Sequence, residues 1–424
     1  MSTFGTVVVR LTGVNGLLVL TALITGPIQA RALGPSGRGE LAVVITTVTL
    51  APFLLDLGLG EYVTSERARK QPMGDLLGTM FPMAWGMSLL GVLGAIPISN
   101  LLGEGHDTVV LFLRIGLFLS PVGVTGLMLY GAARGAEQWS LVYRQRIALA
   151  LIPAVGLVVL VLLGLVTVAS ASMLALASGV IGLIALLPAL RGGRPWHWRA
   201  DLVGPGIRFG ARSWIATLST VGNARLDQVI MAPLVSTKEI GLYAVAVSVT
   251  SVVLTFAAAV MTALMPRVAT GDADVVPRAS RIASGFLGVS LVFIAATSPV
   301  AVPLLFGPAF LPAVPMVLVL IFASYTLGMS TVIGAGLQGA GRPQDNMRAQ
   351  LSGLFLTIGG LPLLLPLLGG LGAAVVSAAS GAVIFAITVY YARRTFDSSI
   401  HALVVPRANE MRTVLGSLRK GPSS

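Results

Sequence analysis

Five ionisable residues stand inside long apolar stretches of this sequence, where a charge is costly unless it meets water or an opposite charge. They are Asp56, Glu61, Arg114, Arg225 and Asp227. A guanidinium group binds phosphate or carboxylate through two parallel hydrogen bonds, and a carboxylate in apolar surroundings can take up a proton or a cation. We therefore predict that Arg114 and Arg225 bind an anionic substrate, and that Asp56 and Asp227 form the site of a coupling ion.

Helix geometry predicts how these charges are arranged. Arg225 lies ~24 Å along its helix from the predicted inner end, and Arg114 lies ~9 Å from the outer end of another helix, so the two are at similar height. Asp227 is ~200° around the helix from Arg225, so we expect it to pair with Arg114 instead. The charges then either line a polar cleft or form buried ion pairs between helices. Three further residues are predicted to gate or line such a cleft: Glu61, Asn223 and Gln228.

The sequence offers no set of residues for covalent or metal chemistry. It has no cysteine, and its three histidines, His106, His197 and His401, lie in separate polar segments, where they form no ligand set by spacing. No catalytic triad or pair of carboxylates stands in a polar domain. We therefore expect a protein that is not an enzyme and needs no cofactor, apart from coupling to a proton or a sodium ion.

The elements that carry these residues are long apolar segments. Of the 424 residues, 55% are hydrophobic and 10% are charged, and no soluble globule has enough interior for that apolar share. Continuous apolar runs of ~20 residues predict membrane-spanning helices, not the alternating strands of a barrel. We predict an all-α polytopic membrane protein with about twelve transmembrane helices. The spans are 11–32, 39–62, 75–98, 108–131, 141–165, 170–190, 209–235, 239–265, 280–305, 311–336, 349–369 and 371–393.

The basic residues predict the orientation of these spans. Most of the 28 lysines and arginines fall after even-numbered spans or near the two ends of the chain. Positively charged connections stay in the cytoplasm, so we expect both termini there and the protein in the plasma membrane. The net charge of +12 is spread over short connections. It is not gathered on one soluble domain, which argues against nucleic acid as a partner.

A polar segment divides the chain into halves of six spans each. The predicted domains are an N-terminal six-helix bundle (1–190), a cytoplasmic linker (191–208), a C-terminal six-helix bundle (209–394) and a cytoplasmic tail (395–424). Similar phrases recur in the two halves: Gly39 and Gly241 open spans 2 and 8, and Arg134 and Arg342 follow spans 4 and 10. Members of each pair are six spans apart. We therefore expect a parallel repeat about an axis along the membrane normal, with a central cleft.

Several segments, in their order and spacing, resemble the Wzx-type polysaccharide flippases of the MOP superfamily, which also contains the MATE drug exporters and the lipid II flippase MurJ. The segments are 31–39, 56–59, 225–227, 240–246, 304–310 and 339–343. The resemblance covers nearly the whole chain. It implies a MOP-type fold of two six-helix bundles. It also implies transport of undecaprenyl-pyrophosphate-linked oligosaccharide across the bacterial plasma membrane by alternating access, for exopolysaccharide, capsule or O-antigen-type glycans.

This resemblance also implies partners. They are the lipid-linked oligosaccharide, membrane lipids, a polysaccharide polymerase and glycosyltransferases. Arg114 and Arg225 would then meet the pyrophosphate or acidic sugars, and Asp56 or Asp227 would bind the coupling proton or cation. The alternative is a MATE-like, cation-coupled exporter of small amphipathic molecules. It is disfavoured because a cationic substrate would require an acidic cleft, and here the two arginines offset the two aspartates.

Overall fold

The computed structural model describes residues 4–103, 105–190, 196–269 and 275–407, and this part of the chain is helical without a β-strand. The all-α fold class predicted from the sequence is confirmed. The helices are α1 (Phe4–Leu55), α2 (Leu59–Ala68), α3 (Met73–Leu102), α4 (Asp107–Phe118), α5 (Ser120–Gly135), α6 (Trp139–Leu162), α7 (Val168–Ile184), α8 (Ala200–Met231), α9 (Thr237–Ala269), α10 (Val275–Phe306), α11 (Val314–Gly339), α12 (Pro343–Phe396) and α13 (Ile400–Val404).

Two of the helices each carry two predicted spans, joined at a glycine. α1 is kinked at Gly34, whose φ of 67° and ψ of 179° are not helical. It therefore holds the first span and most of the second. α12 is kinked at Gly369, where φ is 56°, between the eleventh and twelfth spans. Both positions need a positive φ, which glycine adopts without the strain of a side chain. The fourth span is formed by α4 and α5 together, bent by 48°.

The described helices have the length and the surface of membrane spans. Eight of them are long and apolar enough to cross a membrane, or nine if α4 and α5 form one span. This count takes α1 and α12 as one helix each, although each carries two predicted spans. Large apolar side chains on the helices remain exposed, including Leu162 at 80% and Leu367 at 76%. Apolar exposure of this extent indicates contact with lipid.

The chain folds as two compact units, Met1–Ala244 and Val245–Ser424. Their boundary differs from the predicted linker at 191–208, because α8 packs with the first unit against α1, α2 and α3. The division into six-helix halves therefore stays a prediction from sequence. Residues 191–195 of the predicted linker and 408–424 of the predicted tail lie outside the described residues. Each unit has its own apolar core, around Leu76 and Met128 in the first and around Leu287 and Ile333 in the second.

Within the first unit, α1 and α9 cross with their backbones in direct contact. A Cβ atom on Gly39 would lie 1.8 Å from the carbonyl oxygen of Thr237, and one on Gly241 would lie 1.8 Å from that of Pro35. Each glycine therefore meets the residue four positions before the other. The contact is therefore reciprocal. Gly39 and Gly241 are also the two positions matched in the predicted repeat. We call this contact the glycine crossing.

In the second unit, the short helix α13 is held against α10. Arg281 is buried on α10, and its Nη1 donates to the carbonyl oxygen of Ala402 at 2.8 Å. Leu403 is fully buried in the apolar core of this unit. The side chain of Ser399 accepts the backbone N–H of Ala402 and caps the start of α13. These contacts fix the turn that joins α12 to α13.

Candidate functional site

Arg225 is an exposed cation on α8, a helix of 32 residues. Its guanidinium group makes no hydrogen bond or ion pair with the described part of the chain. α8 is not among the eight apolar helices, and Arg212, Arg225 and Asp227 all fall within its predicted span. A helix with three charges in its span is stable in a membrane when the charges face water or protein. The exposure of Arg225 therefore indicates a hydrated surface along α8.

Arg38 is a second cation beside Arg225, and sequence reasoning missed it. The two guanidinium groups are close enough for their charges to interact. The Nε atom of Arg38 is buried and has no hydrogen-bond partner. A buried donor without an acceptor costs about 1–3 kcal/mol, so an anion that accepted from it would relieve that cost. In the sequence, Arg38 stands in the glycine-rich turn 34–39. Nothing in that turn separates it from the arginines of ordinary surface connections.

Asp227 lies in a buried polar network, close enough to Arg225 for the two charges to interact. Its carboxylate accepts hydrogen bonds from the hydroxyl of Tyr243 on α9 and from the backbone N–H of Gln228. The Gln228 side chain in turn accepts from the hydroxyl of Thr46 on α1 at 2.7 Å. All four side chains are buried. The network therefore ties α8 to α1 and α9, and Asn223 lies half-buried one turn before it on α8.

Arg114 does not pair with Asp227, so the predicted ion pair is wrong. Arg114 on α4 donates instead to the side chains of Ser99 at 3.2 Å and Asn100 at 2.8 Å, both on α3. The rise per residue of a helix places Arg114 and Asp227 at similar height. It does not predict which neighbouring helix each side chain faces, and Arg114 finds neutral acceptors on the adjacent α3.

Asp56 lies at a break within the second span. α1 ends at Leu55, and Leu57 and Gly58 have left-handed φ values of 48° and 73° before α2 begins. The Asp56 carboxylate is buried and accepts the backbone N–H of Gly60 at 3.2 Å. It thus satisfies a free N–H in the first turn of α2. This is the alternative role that sequence left open for a buried aspartate, and the coupling role stays a prediction.

Glu61 forms an ion pair with the arginine that closes α5. Arg134 Nη1 lies 3.0 Å from Glu61 Oε1, and both side chains are partly exposed. The Arg134 guanidinium also lies 5.6 Å from the centre of the Tyr130 ring. The pair links α2 to α5, which also approach closely at Gly131, where a Cβ would lie 2.3 Å from the carbonyl oxygen of Gly60. A partly exposed pair of this kind contributes little to stability and can separate.

The structure thus sorts the predicted site residues into three places. Asp227, Gln228 and Thr46 form the buried network, with Arg225 exposed on the other side of α8. Asp56 and Glu61 lie at the break of the second span, and Arg114 lies apart from both. In the described part of the chain, no three histidine, aspartate or glutamate residues lie close enough to hold a metal ion.

Solved structures of membrane transporters share the fold of this chain. The chain is similar to the lipid II flippase MurJ in its inward closed conformation, with a TM-score of 0.75 and 10% identity over 99% of this chain and 93% of that one. It is also similar to an inward-facing multidrug resistance MATE family transporter of the MOP superfamily, with a TM-score of 0.73 and 15% identity over 91% and 94%. The chain therefore has the fold of these polytopic membrane transporters.

A family match narrows this class. Residues 7–271 match the family described as polysaccharide biosynthesis protein. The chain belongs to this family. No curated protein matches it in sequence. The resemblance to Wzx-type flippases is confirmed at the level of this family, and the chain is a polytopic membrane protein of polysaccharide biosynthesis.

Proposed function

We propose that this protein moves undecaprenyl-pyrophosphate-linked oligosaccharide across the bacterial plasma membrane, with both termini in the cytoplasm. The observation that carries the proposal is the pair Arg38 and Arg225. Two like charges near each other are unfavourable unless an anion lies between them. Neither guanidinium forms an ion pair in the described part of the chain, and the buried Nε of Arg38 has no acceptor. The Asp227 carboxylate interacts with the Arg225 charge, but it already accepts hydrogen bonds from Tyr243 and Gln228. A pyrophosphate supplies the charge and the acceptors that both groups need.

The family and fold support a substrate of this class. The family is one of polysaccharide biosynthesis, and MurJ, with a similar fold, is a lipid II flippase. A lipid-linked saccharide has a polar head that must cross an apolar barrier while its tail can stay in the lipid. Arg225 on the hydrated surface of α8, together with Arg38 on α1, suits such a head. The proposed partners are therefore the lipid-linked oligosaccharide, membrane lipids, and the polymerase and glycosyltransferases that act on the same glycan.

The rival function is export of small cations, by analogy with the similar MATE family transporter, a multidrug resistance protein. The two buried carboxylates that would attract a cation already accept hydrogen bonds, Asp227 from Tyr243 and Asp56 from Gly60. On α8, the exposed charges that form no ion pair in the described part of the chain are the positive ones of Arg208, Arg212 and Arg225. The charge pattern therefore favours an anionic substrate.

Reconstituted transport tests the proposal. Proteoliposomes loaded with a fluorescent lipid-linked oligosaccharide should show translocation with the parent protein. The variants Arg38→Gln and Arg225→Gln should each reduce it at least tenfold, because each loses a charged hydrogen bond to the pyrophosphate, about 1.5–3 kcal/mol. Arg10→Gln is the matched control, since Arg10 is an exposed arginine of α1 outside the site. Unchanged transport in both variants, or transport of a cationic dye only, would reject the proposal.

A further inference from the structure

A cleft of about 530 Å³ lies at the C-terminal end of α12, in the second unit. It is unrelated to the residues assigned to transport. Its lining comes from the last turns of α12 and from the turn into α13: Tyr390, Arg393, Arg394, Asp397, Ser398 and Ser399. The turn is fixed by Arg281 and by the buried Leu403, so the cleft is preformed.

The cleft presents two arginines that have no carboxylate partner in the described residues. Arg393 and Arg394 are both exposed, and neither forms an ion pair with that part of the chain. The Arg394 guanidinium lies 4.5 Å from the centre of the Tyr390 ring, which orients it. The Ser399 hydroxyl accepts from Ala402 and keeps its own proton for another acceptor. These groups are donors, so they suit an anion.

The charge of the cleft selects among anions. Asp397 is the one carboxylate in its lining, so two arginines and one aspartate give a net charge of +1. A phosphodiester carries a single negative charge and matches this value. A pyrophosphate carries more charge and would meet the repulsion of Asp397.

Exposed apolar and aromatic side chains lie on the two segments that flank the cleft. Tyr390 is 49% exposed, and Ala386, one turn before it on α12, is also exposed. Ile400, at the start of α13, and Val405, directly after its end, are exposed at 47% and 49%. A soluble phosphate ester would leave these side chains uncovered, whereas acyl chains would cover them. We propose that the cleft binds the phosphodiester headgroup of an anionic phospholipid, in the leaflet that the predicted orientation places on the cytoplasmic side.

Lipid binding to the purified full-length protein tests this site without measuring transport. Fluorescent phosphatidylglycerol and phosphatidylcholine are titrated against the protein in a neutral detergent. We expect preference for phosphatidylglycerol. The double variant Arg393→Gln, Arg394→Gln should weaken its binding about 30-fold, since each arginine near a lipid surface contributes about fivefold. Arg348→Gln is the control, because Arg348 is an exposed arginine of α12 that pairs with Asp345 outside the cleft.

Three results would overturn the proposal. One is equal binding of the two lipids to the parent protein. Another is unchanged phosphatidylglycerol binding in the double variant. The third is displacement of the lipid by inorganic phosphate at matching concentrations, which would make this a site for soluble anions. If the double variant does not accumulate, Arg393→Lys with Arg394→Lys replaces it. That pair keeps the charge but loses the planar fork, so weakened binding supports the site and unchanged binding contradicts it.

Discussion

The glycine crossing predicts that one added methyl group will change which conformation the protein prefers. In Gly241→Ala the new Cβ would lie 1.8 Å from the carbonyl oxygen of Pro35 and 3.0 Å from the backbone nitrogen of Gly39. Both contacts are with backbone, so α1 and α9 must move apart. Overpacking of this kind costs about 1–3 kcal/mol, which corresponds to a shift of about 5- to 150-fold in a two-state equilibrium.

Cysteine labelling measures this shift, because the chain has no cysteine of its own. Thr46 is 1% exposed in the network that links α1 to α8. A maleimide should react slowly with the thiol introduced by Thr46→Cys. Adding Gly241→Ala should raise the labelling rate by about the same 5- to 150-fold, because opening of the crossing exposes this part of α1.

The matched control is Gly16→Ala on α1, where a Cβ meets no atom within 4 Å. It brings the same gain in helix propensity without the clash. Gly39→Ala should act like Gly241→Ala, because the contact is reciprocal. The reasoning is refuted if the labelling rates and melting temperatures equal those of the Gly16→Ala protein. The added methyl group would then not disturb the contact between the two backbones.

Three further predictions concern buried groups and orientation. Asp56→Asn keeps the shape of the side chain and one acceptor for the Gly60 N–H, but it cannot ionise. Transport that no longer responds to an imposed pH gradient would support the coupling role. Unchanged dependence on the gradient would assign Asp56 to structure alone. Tyr243→Phe leaves the Asp227 carboxylate without its hydroxyl donor and should lower the melting temperature through a loss of about 1–3 kcal/mol; an unchanged melting temperature would contradict the role of this hydrogen bond. A cysteine introduced at Gly193 should react with an impermeant maleimide only after cells are opened, and labelling of intact cells would reverse the predicted orientation.

The order of the long apolar helices could be predicted because apolar length is a local property of the sequence. The turn at Gly34 was visible for the same reason, since it separates two apolar runs. The break after Asp56 was not visible. It interrupts one continuous apolar run, and its left-handed residues, Leu57 and Gly58, are stabilised by contact with α8, where a Cβ on Gly58 would lie 2.3 Å from the carbonyl oxygen of Gly210. Such a contact between distant helices leaves no periodic signal.

The site was predictable in its residue types but not in its pairings. The cost of charge in an apolar segment draws attention to Arg225 and Asp227, whose roles stay predictions, and helix geometry correctly placed them on different sides of α8. Height alone could not show that Arg114 bonds to α3, or that Asp227 bonds to Tyr243 sixteen positions away. Arg38 was missed because a turn next to a span was expected to hold ordinary surface charges.

The reciprocity of the glycine crossing gives this contact a local two-fold symmetry. Residues 35 and 39 meet residues 241 and 237 as two copies of one patch, which is the form of an isologous contact. Because neither side is distinguished from the other, one substitution made on either helix disturbs the same interface from opposite sides. The crossing therefore has, inside one chain, the geometry that an interface has in a symmetric homodimer.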